Sequence, residues 1–238
     1  MSSKPTLKYG DLLEDAVKMI RPLDLVLFRG NDAVSGLIKF TSKRFLGMRS
    51  CDHVFSHIGL VVSRDIVDDP ALEPGKLYVW ESTLSGKLGQ GVYSAHHPKK
   101  AFFGTQVRPL IELIEAYDKP DDTAIAIFPL DSSTRRKIYK INDIFETEKL
   151  NDAFTPIFTR YNDRRYDANP CSLLGAMFPF FRCCRSTAEK GMDTEDWLFC
   201  SELVAHVFQD LGVLHKSVNP KNVVPVDLIG YDREHKRD

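Results

Sequence analysis

The sequence predicts a mixed chain of short strands and amphipathic helices, and two observations carry that reading. Short apolar runs rich in branched residues recur at 24–28, 55–62, 77–82 and 123–130, each bounded by turn-forming or charged residues. Between and around them lie stretches with helical apolar spacing, above all 200–211, where Leu203, Val204, Val207, Phe208 and Leu211 recur before Gly212, a favoured helix stop.

The elements follow in order. Residues 1–9 read as a loose arm. Residues 11–20 have apolar positions at 12, 13, 16, 17 and 20, one packing face of a helix, and Pro22 ends it. Asp24 to Phe28 is a strand turning at Arg29–Asp32, and Ala33 to Phe40 is a helix. A basic loop over 44–54 carries Cys51. The run Phe55-Ser56-His57-Ile58-Gly59-Leu60-Val61-Val62 is a buried strand whose alternation puts His57, Gly59 and Val61 on one face. The glycine is expected to leave open space beside the imidazole. By itself such a histidine reads as a core residue bonded to a neighbouring carbonyl. In the strand Leu77 to Ser82, Glu81 needs a partner if buried, and a histidine N–H on the adjacent strand would serve. Otherwise it stands at the solvent edge.

Residues 85–105 form a long glycine-containing loop of the kind used as lids or binding loops. Its His96-His97 pair reads as exposed surface rather than a metal site, because no carboxylate or cysteine keeps ligand spacing with it. Residues 107–117 pass from strand to helix. Ser132-Ser133 caps a long helix with Ile138, Ile141, Ile144 and Phe145 inward. Residues 151–170 read as irregular. The stretch 172–181 is very apolar and ends in Arg182-Cys183-Cys184-Arg185. It is too short to span a bilayer, so it is a core segment or an interfacial patch, with Cys183 and Cys184 as acylation candidates. Residues 222–228 close the domain, and 233–238 form a charged tail.

Composition narrows the function classes. A formal net charge of -1 over 238 residues gives no electrostatic case for nucleic-acid binding. The five cysteines are odd in number and none has C-x-x-C spacing, which argues for a reducing, cytoplasmic compartment rather than a disulfide framework. The N-terminus lacks a signal-peptide pattern, and no apolar run reaches a membrane span's length.

Three residues invite a common site. Cys200 falls in the first turn of its helix, where the dipole favours a thiolate. His57 is a base on one strand, and Glu81 on the next could fix its tautomer. By helical geometry Glu202 lies about 200° and His206 about 240° round the helix from Cys200, so neither faces the thiol. Ser201 is also rotated away.

The segments Phe55-Ser56-His57-Ile58-Gly59, Val79-Trp80-Glu81 and Phe199-Cys200-Ser201-Glu202-Leu203 resemble the circularly permuted NlpC/P60 cysteine peptidase-like proteins, with the nearest likeness to permuted papain-like amidases of the YiiX/YaeF type. Leu23-Asp24-Leu25 matches the family's first strand, with leucine where glycine is usual. Arg165-Tyr166-Asp167 resembles its Tyr-Asp, and Val224-Pro225-Val226-Asp227 its trailing proline segment. The resemblance implies a permuted papain-like α+β fold: an antiparallel sheet packed against helices, with the nucleophile at a helix N-terminus. It implies an N-terminal arm and helix over 1–21, a single catalytic domain over 22–230 and a tail over 231–238, with insertions near 41–54, 84–104 and 171–195.

The implied activity is that of a thiol hydrolase using Cys200, His57 and Glu81 on a peptide, amide, ester or thioester bond, with Tyr166 as a weaker substrate or oxyanion contact and no metal or cofactor. The alternatives are an acyltransferase or phospholipase of the lecithin–retinol acyltransferase type, meeting acyl lipids at the membrane surface through 172–184, and a catalytically silent papain-like binding module.

Overall fold

The computed structural model describes residues 18–29, 55–83, 92–98, 102–117, 124–141, 147–166, 197–225 and 227–229. Its centre is a seven-stranded sheet. The strands are β1 (Leu25–Arg29), β2 (His57–Ser63), β3 (Leu77–Thr83), β4 (Gly104–Pro109), β5 (Ala124–Phe128), β6 (Arg165–Tyr166) and β7 (Trp197–Leu198), in the spatial order β5-β1-β2-β3-β4-β6-β7. Six strands pair antiparallel in turn, and β7 joins β6 in parallel. The helices are α1 (Leu110–Tyr117), α2 (Ser132–Ile141), α3 (Thr147–Tyr161) and α4 (Cys200–Asp210). The architecture is therefore α+β, an antiparallel sheet packed against helices.

Period-two alternation divides the apolar residues between the two faces. Leu25, Leu27, Ile58, Leu60, Val62 and Trp80 pack on one side against Leu203, Val204, Val207 and Phe208 of α4 and Phe154 and Phe158 of α3. Trp80 is fully buried, its ring 4.8 Å from that of Phe158 and 6.1 Å from that of Phe154. Each such buried side chain stabilises the layer by about 1.5–3 kcal/mol. Val26, Phe28, Val61 and Val79 form the other face, covered by Leu110 and Leu113 of α1.

Strands β1, β2, β3 and β5 fall within a residue or two of the expected places, whereas β4 begins three residues before the expected 107, inside the stretch read as a loop, and β6 lies in the stretch read as irregular. Residues 151–170, expected to be irregular, contain most of the 15-residue helix α3. Pro156 obscures it, because proline usually ends a helix. The buried residues Leu150, Phe154, Ile157, Phe158 and Tyr161 nevertheless keep helical spacing, and their packing carries the helix through the proline. In α2, Ile138 is buried as expected. The arm, the segments 11–17, 33–40 and 44–54, the residues Ile144 and Phe145, the apolar stretch 172–184 and the charged tail lie outside the described residues.

The entry to β1 shows why a glycine would be at home there. Leu23 has φ 74°, the left-handed region that costs a non-glycine residue about 1–2 kcal/mol. Its side chain is buried, which offsets that cost by about 1.5–3 kcal/mol. Next to it the buried Asp24 carboxylate accepts hydrogen bonds from the Leu130 N–H (2.8 Å), the Arg21 N–H (2.8 Å) and Arg135 Nη2 (2.5 Å). One side chain thus ties the start of β1 to the end of β5 and to α2.

Candidate active site

Strand register assembles the site. Gly59 lies directly opposite Glu81, and Val79 opposite Arg108, so His57, Glu81 and Arg108 share one face on three adjacent strands. His57 Nε2 lies 2.6 Å from Glu81 Oε2. Arg108 Nε donates to Glu81 Oε1 at 2.5 Å, and Arg108 Nη2 pairs with the same oxygen. Glu81 is completely buried, which excludes the solvent-edge alternative.

Cys200 comes from the other layer. It is the first residue of α4, whose apolar side packs on the opposite face of the sheet, and it is buried there. His57 is the first residue of β2 and so stands at the strand's end. The Cys200 side chain lies near enough to the imidazole to act on its charge, alongside Glu81. The His57 side chain keeps 16% of its surface exposed, so the cluster is not sealed from solvent.

The electrostatics follow from this placement. Burial works against a charged imidazole, but the charges of Cys200 and Glu81 and the hydrogen bond to Glu81 outweigh it, and His57 is pushed up from 6.5 to about 10. Burial likewise works against an ionised Glu81. Arg108 first, then His57, overcomes it and holds the carboxyl below its ordinary value. The resulting chain of partners runs from thiol to imidazole to carboxylate to guanidinium.

The local folding of α4 explains how Cys200 is presented. The Glu202 carboxylate reaches back to accept the Phe199 N–H at 3.3 Å, half of a capping box. Glu202 is thus a first-turn residue, as its position round the helix predicts. Ser201 donates its hydroxyl to the Val223 carbonyl at 2.7 Å, fixing the segment after α4 to the helix start. At the other end Val213 N–H bonds Phe208 C=O at 2.7 Å and Gly212 N–H bonds Gln209 C=O at 3.1 Å, with Gly212 at φ 71°. This Schellman motif is the stop that Gly212 predicts. Tyr166 of β6 pairs with Leu198, and its ring lies 5.9 Å edge-on from that of Phe199, one residue from Cys200.

Two expectations need correction. Gly59 does not leave open space beside His57. A Cβ there would collide with Val79 Cγ1 and stand 3.2 Å from Glu81 Cβ, so the glycine instead lets β3 bring Glu81 close. His96 and His97 are not bare surface. His96 Nε2 lies 2.7 Å from Asp69 Oδ2, and His97 Nε2 lies 3.3 Å from Asp163 Oδ1 with its ring stacked on Phe102. Both carboxylates are distant in sequence, so spacing could not reveal them.

Sequence reasoning missed Arg108. The mostly polar run Gly104 to Pro109 gave no sign that it is a buried central strand, and only that burial makes its arginine demand a buried anion. Among the described residues no cluster of histidine, cysteine and carboxylate side chains is arranged to hold a metal ion, and no helix is long and apolar enough to cross a membrane. No protein-family model matches the chain and no curated protein matches it, so the functional reading rests on this geometry.

Proposed function

We propose that the protein is a cysteine hydrolase with Cys200 as nucleophile, His57 as general acid and base, and Glu81 as the group that orients the imidazole, on a permuted papain-like fold. The observation that carries this reading is the His57–Glu81 pair at 2.6 Å, with the buried Cys200 side chain near enough to act on the imidazole's charge. The chain order supports it too. Base and orienter come from consecutive antiparallel strands, and the nucleophile comes later, from a helix start, as a circular permutation of a papain-like enzyme requires.

The chemistry follows from the roles. The Cys200 proton rests on His57, at the ring nitrogen Glu81 does not engage, and Glu81 stabilises the resulting imidazolium, so Cys200 is held as the thiolate. The thiolate attacks the carbonyl carbon of an amide, ester or thioester. The negative charge that develops on the carbonyl oxygen is received by the backbone N–H of Cys200, one of the first-turn donors that the helix leaves without an acceptor. The imidazolium then protonates the leaving group as the carbon–heteroatom bond breaks. Water, deprotonated by His57, attacks the thioester, releases the acid and restores the thiolate. An amine, alcohol or thiol acceptor in place of water would make the same site a transferase.

Alkylation tests the reading without a known substrate. Iodoacetamide at neutral pH should modify Cys200 faster than the other cysteines, and His57→Ala should slow that reaction at least about tenfold. Modification at an ordinary thiol's rate, unchanged by His57→Ala, would leave a papain-like binding module as the reading. Incubation with candidate substrates, followed by the mass added to Cys200, then identifies the acyl group.

A further inference from the structure

We infer that Arg108 is a positioning residue of the site, one that holds the Glu81 carboxylate ionised and turned toward His57. The inference rests on the cysteine-hydrolase reading and adds a fourth member behind the three that chemistry alone would require.

The argument begins with how Glu81 divides its oxygens. Both Arg108 Nε and Arg108 Nη2 engage Oε1, and Oε2 faces His57 Nε2 at 2.6 Å. A guanidinium set squarely across both oxygens would compete with the imidazole for Oε2. This one leaves it to the histidine and still delivers a full positive charge to the carboxylate. The planar fork also fixes the carboxylate's rotation, which a point-charge cation does less well.

Burial sharpens the point. Arg108 is 1% exposed and Glu81 is fully buried, and Arg108 Nη1 is buried without a hydrogen-bond partner among the described residues. A pair placed only for stability would be a poor choice, because apolar residues of similar size would usually serve as well or better. What apolar residues cannot do is keep a carboxylate charged where water cannot reach it. Without Arg108, the remaining partner of Glu81 is His57, whose own charge depends partly on Glu81. When the imidazole gives up its proton, the buried carboxylate would then have no cation beside it. Arg108 never titrates in the accessible range, so it breaks that mutual dependence and keeps the orienter anionic whatever the state of the imidazole.

The test is the pH dependence of Cys200 alkylation by iodoacetamide, with folding of each variant checked by thermal melting. In Arg108→Met, loss of the cation lets Glu81 take up a proton at higher pH, and the acid limb of the profile should move upward by about 1–3 pH units. Arg108→Lys keeps a cation and should hold the limb near its wild-type position, with a lower plateau from the lost fork. In the Glu81→Gln background there is no carboxylate to hold, so adding Arg108→Met should change Cys200 reactivity by no more than about twofold. That double variant also removes the unpaired buried charge, so it carries the test if Arg108→Met alone does not fold.

A limb that stays in place in Arg108→Met, or moves equally far in Arg108→Lys, overturns the inference. So does a further loss of about tenfold in the double variant relative to Glu81→Gln alone. If wild-type Cys200 itself reacts as an ordinary thiol, the hydrolase reading fails and this inference fails with it. An activated Cys200 with an Arg108-independent profile overturns this inference alone.

Discussion

His57 is the residue on which the site turns, because it meets partners from two sides of the sheet. Its charge is set by the balance between burial and two neighbouring negative groups, and the balance favours the imidazolium up to about pH 10. Nuclear magnetic resonance of the ring should therefore show a midpoint near 10 in the wild type, and Glu81→Gln should lower it by at least about one unit, since one of the two charges is gone. A midpoint that does not move would mean that Glu81 is not a source of the shift. Gly59 belongs to the same residue-scale account. It has no chemistry of its own, yet any Cβ there would push against Val79 and Glu81. Leu23 is the counterpart at the entry to β1, a side chain kept in a glycine-favouring conformation by its burial.

At the scale of elements, helix α4 is positioned at both ends by backbone chemistry and in the middle by packing. Glu202 and Ser201 fix its start, and Leu203, Val204 and Val207 press it on the sheet. The Schellman motif at Gly212 fixes its end. Gly212→Ala places a Cβ on a residue at φ 71° and should destabilise the protein by about 1 kcal/mol, read from the urea midpoint. Unchanged alkylation of Cys200 in that variant would show that its position is set from the N-terminal end alone. Strand β2 shows the same economy. Ile58, Leu60 and Val62 serve the core, His57 enters the site, and Gly59 makes room for Glu81.

For the whole molecule, the buried Glu81–Arg108 pair couples site chemistry to stability. The carboxyl of Glu81 is held below its ordinary 4.5. A carboxyl depressed in the folded state contributes stability that is present above the unfolded value and lost as pH falls through the folded one. At pH 7, Glu81→Gln should therefore cost about 3–5 kcal/mol, because it leaves Arg108 buried and uncompensated. The gap between wild type and variant should narrow as the pH drops below 4.5, toward the folded value. Urea midpoints at pH 7 and pH 3 check this, and a gap of constant size would place the stabilisation elsewhere.

Much of this organisation was legible in the chain itself. Local apolar spacing determined the strands β1, β2, β3 and β5, the helix α4 and its stop at Gly212, because period and capping act over a few residues. Alternation put His57, Gly59 and Val61 on one face, and helical angles turned Glu202 away from the thiol. The demand that a buried carboxylate find a partner pointed from Glu81 to the adjacent strand. Other features depend on contacts between residues far apart in sequence, which no local pattern records. The helix through Pro156 exists because its apolar side has a sheet to pack on. The crowding at Gly59 exists because β3 lies where it does. His96 and His97 are paired because Asp69 and Asp163 are brought to them. Arg108 faces Glu81 only once β3 and β4 are in register, and Cys200 comes near His57 only because the helix layer and the start of β2 come together. Residue types and local periods thus determined what the chain could contain. Tertiary packing decided which charges meet, because an ion pair depends on distance in space and not on separation along the chain.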